Sequence, residues 1–150
     1  MTRSKQMQPV LQLAESRKTE AATALGKQVQ VLEQASQQLQ DLLRYRQEYS
    51  QQLSQAQGRV DVFRLQEQRA FMAKLSAAIQ QQQAVVERHK GQLKKLRAQW
   101  MEKHKETQAL DHLLENYKQQ ERRQADVREQ KTLEDIVTGR YANRDNNGFS

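Results

Sequence analysis

The chain has 150 residues, of which 36% are hydrophobic and 29% charged, and it carries a formal net charge of +7. That is too polar to bury a thick globular core. One proline (Pro9), five glycines and 27 glutamines leave almost no punctuation for sandwiches, barrels or alternating strand-helix folds, so long helices are what remains.

The hydrophobic period decides between helix and disorder. From Leu11, steps of seven give Leu11, Lys18, Leu25, Leu32, Leu39, Arg46, Leu53 and Val60. The companion positions are Ala14, Ala21, Gln28, Ala35, Leu42, Tyr49, Ala56 and Phe63, and thirteen of these sixteen are apolar or aromatic. This a/d pattern predicts a first coiled-coil helix over 8–57, about 75 Å long at 1.5 Å per residue. Gly58 and Asp61 are stop and start signals that predict a turn over 57–63. Beyond it the frame changes phase: Met72, Ile79, Val86, Leu93, Trp100, Thr107 and Leu114 run beside Leu75, Gln82, His89, Leu96, Lys103, Leu110 and Tyr117. This predicts a second helix over 64–139 and a flexible tail over 141–150.

The fold expected is all-α, a single long two-helix antiparallel coiled coil over 1–144, monomeric, with an overhanging C-terminal helix. Doubling back at 57–63 pairs residues i and j with i + j near 121. Leu11 then faces Leu110, Ala21 faces Trp100, Leu42 faces Ile79 and Tyr49 faces Met72. Sliding by a full heptad also keeps a opposite d, so the pattern alone leaves the register open.

A narrow seam offers no cleft, which argues against small-molecule catalysis. No glycine-rich phosphate loop, nucleophile elbow or paired-histidine metal helix occurs in the chain. His104 and His112 lie two turns apart, too far to share an ion, and read as solvated. The absence of cysteine excludes disulfides, thiolate metal sites and cysteine nucleophiles, and fits a reducing compartment. Neither catalytic residues, a cofactor nor a metal is therefore expected. No apolar run approaches the ~18 residues of a membrane span, and 1–9 lacks the apolar stretch of a signal peptide. A soluble cytoplasmic protein without membrane insertion is expected.

Two features rise above a plain coiled coil. Near the turn, Gln38, Tyr45, Phe71, Ala78 and Val85 widen one flank beside Leu42, Tyr49, Leu75 and Gln82, and Tyr45, Tyr49, Phe63 and Phe71 are four of the chain's eight aromatics. The stripe reads either as a broadened core or as a partner site rich in hot-spot residues. At the other end, the register leaves 121–144 without an intrachain partner, although it carries Val127, Leu133, Ile136 and Val137. An isolated helix of that length is marginal in water and either frays or is covered. A run of seven basic residues, Arg88, Lys90, Lys94, Lys95, Arg97, Lys103 and Lys105, against Glu102 alone, reads as a solvated sheath or as a surface for an acidic or nucleic-acid partner.

Order, spacing and length together resemble the FliJ family of flagellar export proteins. The resemblance runs through Leu25-Gly26, Leu39 to the Tyr45/Tyr49 pair with Glu48, Phe71/Leu75 with Ala78-Ile79, the Trp100 segment, and Glu129-Gln130-Lys131 with Leu133-Glu134-Asp135. It implies a non-catalytic stalk and chaperone of the bacterial type III export apparatus, at work in flagellum biogenesis and chemotaxis and held at the inner membrane through its partners. Those partners would be the hexameric export ATPase FliI, the export gate membrane protein FlhA and export chaperones, with no nucleic acid. The family's gate-binding patch maps onto Gln38, Leu42, Tyr45, Tyr49, Phe71, Leu75, Ala78 and Gln82. The uncovered helix, with Arg122, Arg123, Val127, Gln130, Leu133, Ile136 and Val137, would meet the ATPase. An injectisome-type secretion stalk would share the hairpin and differ in its gate partner. A basic nucleic-acid-binding coiled coil is a third reading, marked by binding that collapses with salt.

Overall fold

A computed structural model describes residues 2–55 and 61–147, with side chains as far as 140. The described residues form two long helices that pack antiparallel and no strand: α1, Arg3–Gln55, and α2, Val62–Asn147. Residues 57–60 of the expected turn, with Ala56, lie outside the described residues. Asp61 caps α2 from its N-terminal side. Its Oδ1 accepts the Arg64 amide at 2.8 Å and its carbonyl accepts the Leu65 amide at 3.0 Å, which satisfies two otherwise unpaired donors of the first turn.

Both helices overrun the limits expected for them. Helix one was expected from Gln8; α1 instead begins at Arg3 and carries Pro9 inside it. A cap upstream of the proline accounts for this. Thr2 Oγ1 accepts the Lys5 amide at 3.4 Å and the Thr2 carbonyl accepts the Gln6 amide at 3.2 Å. At the other end, the tail expected to be flexible from 141 is helical through Asn147. Gly139 is the one stop signal there, and a glycine inside a helix costs only about 1 kcal/mol, too little to end it without a following proline.

The chain divides into two compact units, each built from a stretch of both helices: Lys18–Lys103, and Met1–Arg17 with His104–Ser150. In the first, Ala35, Leu75, Ile79 and Val86 are buried and the remaining expected seam residues are half-buried. Phe63 departs from this. Expected in the seam, it stands 68% exposed in the opening turn of α2, with Val62 beside it at 72%. The residues that the register sets opposite Phe63 lie outside the described ones. Lys18 and Arg46 occupy seam positions and are half-buried, as a long charged side chain can be while its head stays in water.

Polar seam residues tie this unit together. Gln28 Nε2 donates to the His89 carbonyl at 3.2 Å, and Gln82 Nε2 donates to the Ala35 carbonyl at 2.9 Å and to Gln38 Oε1 at 3.2 Å. In the second unit, Thr107 Oγ1 donates to the Ala14 carbonyl at 3.4 Å, and Leu114, Thr107 and Ser4 are buried. Thr107 with Ala14 and Gln82 with Gln38 sit at the expected i + j near 121. Two of the ties are specific to their side-chain partners: a slide by seven would set Val31 or Tyr45 in place of Gln38 beside Gln82, and Gln82 or Leu96 in place of His89 beside Gln28.

Candidate partner-binding surfaces

The first candidate surface lies wholly within Lys18–Lys103. α1 presents Tyr45 and Tyr49 one turn apart, and α2 presents Phe71 and Leu75 with the same spacing, so each pair shares a helix face. The register sets Phe71 against both tyrosines. Ring centroids are 4.8 Å apart for Tyr49 and Phe71, 6.2 Å for Tyr45 and Phe71 in an edge arrangement, and 6.5 Å for the stacked Tyr45 and Tyr49. All three distances fall in the range where aromatic pairs attract beyond their buried area.

The cluster stays open to solvent: Tyr45 is 49% and Phe71 37% exposed. The eight residues expected on this flank therefore do different jobs. Leu75 is buried and belongs to the core, while Leu42, Tyr49 and Ala78 are half-buried. Gln38 and Gln82 are joined to each other, and Gln82 also holds the Ala35 carbonyl. Tyr45 and Phe71 offer the accessible apolar area, and a shallow groove lined by Arg46, Gln47, Ser50, Gln51 and Met72 lies in the same unit. Such an arrangement suits recognition of another protein: a preassembled, amphipathic aromatic anchor with polar amides at its margin.

The second candidate surface belongs to the other unit. Every residue from 122 to 140 is exposed, including Val127 at 63%, Leu133 at 58%, Val137 at 52% and Ile136 at 47%. The seam's heptad continues there only in polar residues, with Arg128 and Asp135 at a and Gln124, Lys131 and Thr138 at d. The apolar residues stand at other heptad positions, away from the phase of the seam. Gln130, Leu133, Glu134, Val137 and Thr138 line one shallow groove, and Arg123, Gln124, Val127 and Arg128 line another. Arg122 is exposed beside them.

One cluster in this unit escaped the sequence reading. Glu121 Oε2 accepts the Ser4 hydroxyl at 2.6 Å and Oε1 accepts the Ser4 amide at 3.1 Å, so a carboxylate of α2 caps the N-terminus of α1. Arg3 adds a cation over the Tyr117 ring, 5.8 Å from its centroid. The Ser4 hydroxyl, then the Ser4 amide, with help from Lys5 and Lys118, hold the Glu121 carboxyl below its ordinary value of 4.5. The signal was present as Glu121 at a seam position opposite the chain's first residues. It was hidden by starting the first helix at Gln8, beyond Ser4.

Among the described residues no group of three or more His, Asp or Glu side chains gathers as a metal site, and no helix is long and apolar enough to cross a membrane. Neither the curated proteins nor the solved structures give a match to this chain. A family model described as flagellar FliJ protein matches residues 3–146.

Proposed function

The chain belongs to the flagellar FliJ protein family, whose members are components of the flagellar export apparatus, and on that premise we propose that it is a non-catalytic stalk and chaperone linking the export ATPase FliI to the export gate FlhA. Tyr45, Tyr49 and Phe71, with Gln38, Leu42, Leu75, Ala78 and Gln82 around them, meet the gate. Arg122, Arg123, Val127, Gln130, Leu133, Ile136 and Val137 meet the ATPase. The protein works in the cytoplasm and reaches the membrane through the gate.

The observation that carries this reading is the aromatic cluster, three rings in mutual contact of which two remain more than a third exposed. An exposed, preorganised aromatic group lowers solubility unless a partner covers it. Mechanically, a single asymmetric helical pair inside a ring of six equivalent subunits contacts only some of them at once. It therefore stabilises the assembled ring by mass action and makes its subunits inequivalent. ATP hydrolysis belongs to the ring.

The test is binding of the purified chain to the cytoplasmic domain of the gate and to the ATPase by calorimetry, with ATPase turnover measured in parallel. Saturable binding to both, with faster turnover, supports the reading; binding to neither defeats it. The basic run is judged in the same experiment, because preferential binding to duplex DNA that collapses with salt would favour the nucleic-acid reading instead.

A further inference from the structure

Residues 3–8 of α1 stand apart in their chemistry. Pro9 has no amide proton, so the Lys5 carbonyl loses the partner that an uninterrupted helix would supply four residues on, and the pyrrolidine ring crowds that carbonyl. The turns before Pro9 are thereby coupled only weakly to the rest of α1. What fixes them comes from elsewhere: the Thr2 cap, the two hydrogen bonds from Ser4 to Glu121, and Arg3 over Tyr117. These contacts are local enough to release together. The register sets half-buried Met7 opposite Leu114, which is only 6% exposed, and Tyr117 is half-buried one turn further on. The exposed stretch 122–140 begins directly after Glu121.

We infer that residues 3–8 form a displaceable latch, hinged at Pro9 and clasped by Glu121, whose opening uncovers Leu114 and Tyr117 and so lengthens the exposed apolar surface of α2. The occupant of that stretch of α2 in the closed state is the chain's own N-terminal turn. Glu121 has two jobs in the closed state. It supplies the acceptors that the first turn of α1 lacks, and its negative charge lies at the positive end of the helix dipole. Opening breaks the clasp and leaves the seam from residue 18 onward intact. This inference rests on the geometry of the clasp and not on the identity of any partner.

Amide hydrogen exchange on the full chain, read by mass spectrometry, tests it. Glu121→Ala should speed exchange of residues 4–8 by about tenfold or more, the scale of losing charge-assisted hydrogen bonds, while 18–103 exchanges as before. Ser4→Ala keeps the carboxylate and should give a smaller acceleration confined to the same residues. Pro9→Ala restores the missing backbone bond, and it should slow exchange of 4–8 and offset most of the effect of Glu121→Ala. Unchanged exchange in Glu121→Ala, equal acceleration across the whole chain, or no slowing in Pro9→Ala would overturn the latch. Protection of 4–8 that rises with protein concentration would do so too, by assigning the clasp to a second copy.

Discussion

Gln82 reaches across the seam to donate an amide proton to the Ala35 carbonyl, 2.9 Å away. That carbonyl already accepts within α1, so the bond uses its second lone pair and joins a side chain of one helix to the backbone of the other. Gln28 makes the equivalent bond to His89 from the opposite helix. Gln82 also meets Gln38 Oε1 and Gln28 meets the His89 ring, side-chain partners that do not recur a heptad away, whereas leucine packs equally well there.

Replacing both ties by leucine should therefore separate stability from uniqueness. The Gln28→Leu, Gln82→Leu variant should melt at the same or a higher temperature, since apolar seam residues replace half-buried amides. Spin labels at Gln30 and Gln92, both exposed, should give one narrow distance distribution in the parent chain. The double variant should show a second, longer-distance population, because a slide of one heptad offsets the two labels by about 10 Å along the helix axis. A single narrow distribution in the variant would mean that the register is set elsewhere.

The seam shows what could be read from the sequence. Each expected a and d position among the described residues is buried or half-buried except Phe63, because a heptad period is a property of the helix and needs no knowledge of its neighbour. The register, left open by the period, is matched by polar pairs across the seam, Gln82 with Gln38 and Gln28 with the His89 ring, which the apolar pattern does not record. Of the aromatic stripe, the residues could be named but not their division of labour. Leu75 inside, Gln82 engaged with Gln38 and Ala35, and Tyr45 outside depend on rotation of each helix about its own axis. The Glu121 clasp was missed because the first helix was begun at Gln8, beyond Ser4, whereas its true end is capped from a distant part of the chain.

The aromatic surface separates two effects that truncation usually mixes. Tyr45→Ala should weaken gate binding by about 2 kcal/mol or more, as for an aromatic hot spot, with little change in thermal stability because the side chain is half exposed. Leu75→Ala removes a buried side chain and should cost about 2–5 kcal/mol of folding stability whatever it does to binding. Calorimetric binding to the gate domain and urea unfolding of each variant measure the two. Tyr45→Ala binding as tightly as the parent would reduce the cluster to packing.

Gly26 and Gly91 lie inside the helices, and a Cβ added at either would meet nothing within 4 Å. Alanine at each position should raise stability by about 0.5–1 kcal/mol through helix propensity and a less flexible unfolded chain. The double variant should add the two gains, since both positions are exposed and an added Cβ at either touches nothing within 4 Å. Urea midpoints at constant slope are the measurement, and a loss at either site would show that the glycine is needed for something other than the helix.

The Glu121 carboxyl predicts an acid-side dependence of the N-terminal turns. Its value is lowered in the folded chain by the Ser4 hydroxyl and amide and by the cations of Lys5 on α1 and Lys118 on α2. A lowered carboxyl stabilises the folded state at pH above its ordinary value of 4.5, and that contribution is withdrawn as pH falls from there through the folded value. Thermal melts of the parent and of Glu121→Gln should differ at neutral pH and converge as the pH drops below 4.5. A gap that stays constant across this range would mean that the clasp does not depend on the carboxylate charge.

The exposed stretch of α2 gives the sharpest test of the proposed ATPase contact, provided that the truncation respects the clasp. Ending the chain before Glu121 would remove the carboxylate that caps α1 and would confound loss of a partner surface with loss of the N-terminal turns. Ending it after Glu121 removes only residues exposed or outside the described side chains, and leaves Ser4, Tyr117 and Leu114 in place. That truncated chain should keep cooperative thermal unfolding, with its helical signal reduced only in proportion to its length. It should bind the gate as the parent does, because the aromatic surface belongs to Lys18–Lys103. Stimulation of the export ATPase should be lost. Within the intact chain, Leu133→Ala with Val137→Ala should lower stimulation several-fold without changing the melt, since both side chains are more than half exposed and line one groove. Full stimulation by the truncated chain would move the ATPase contact to the hairpin itself, and a normal double variant beside an inactive truncation would assign it to residues of the segment other than this apolar face.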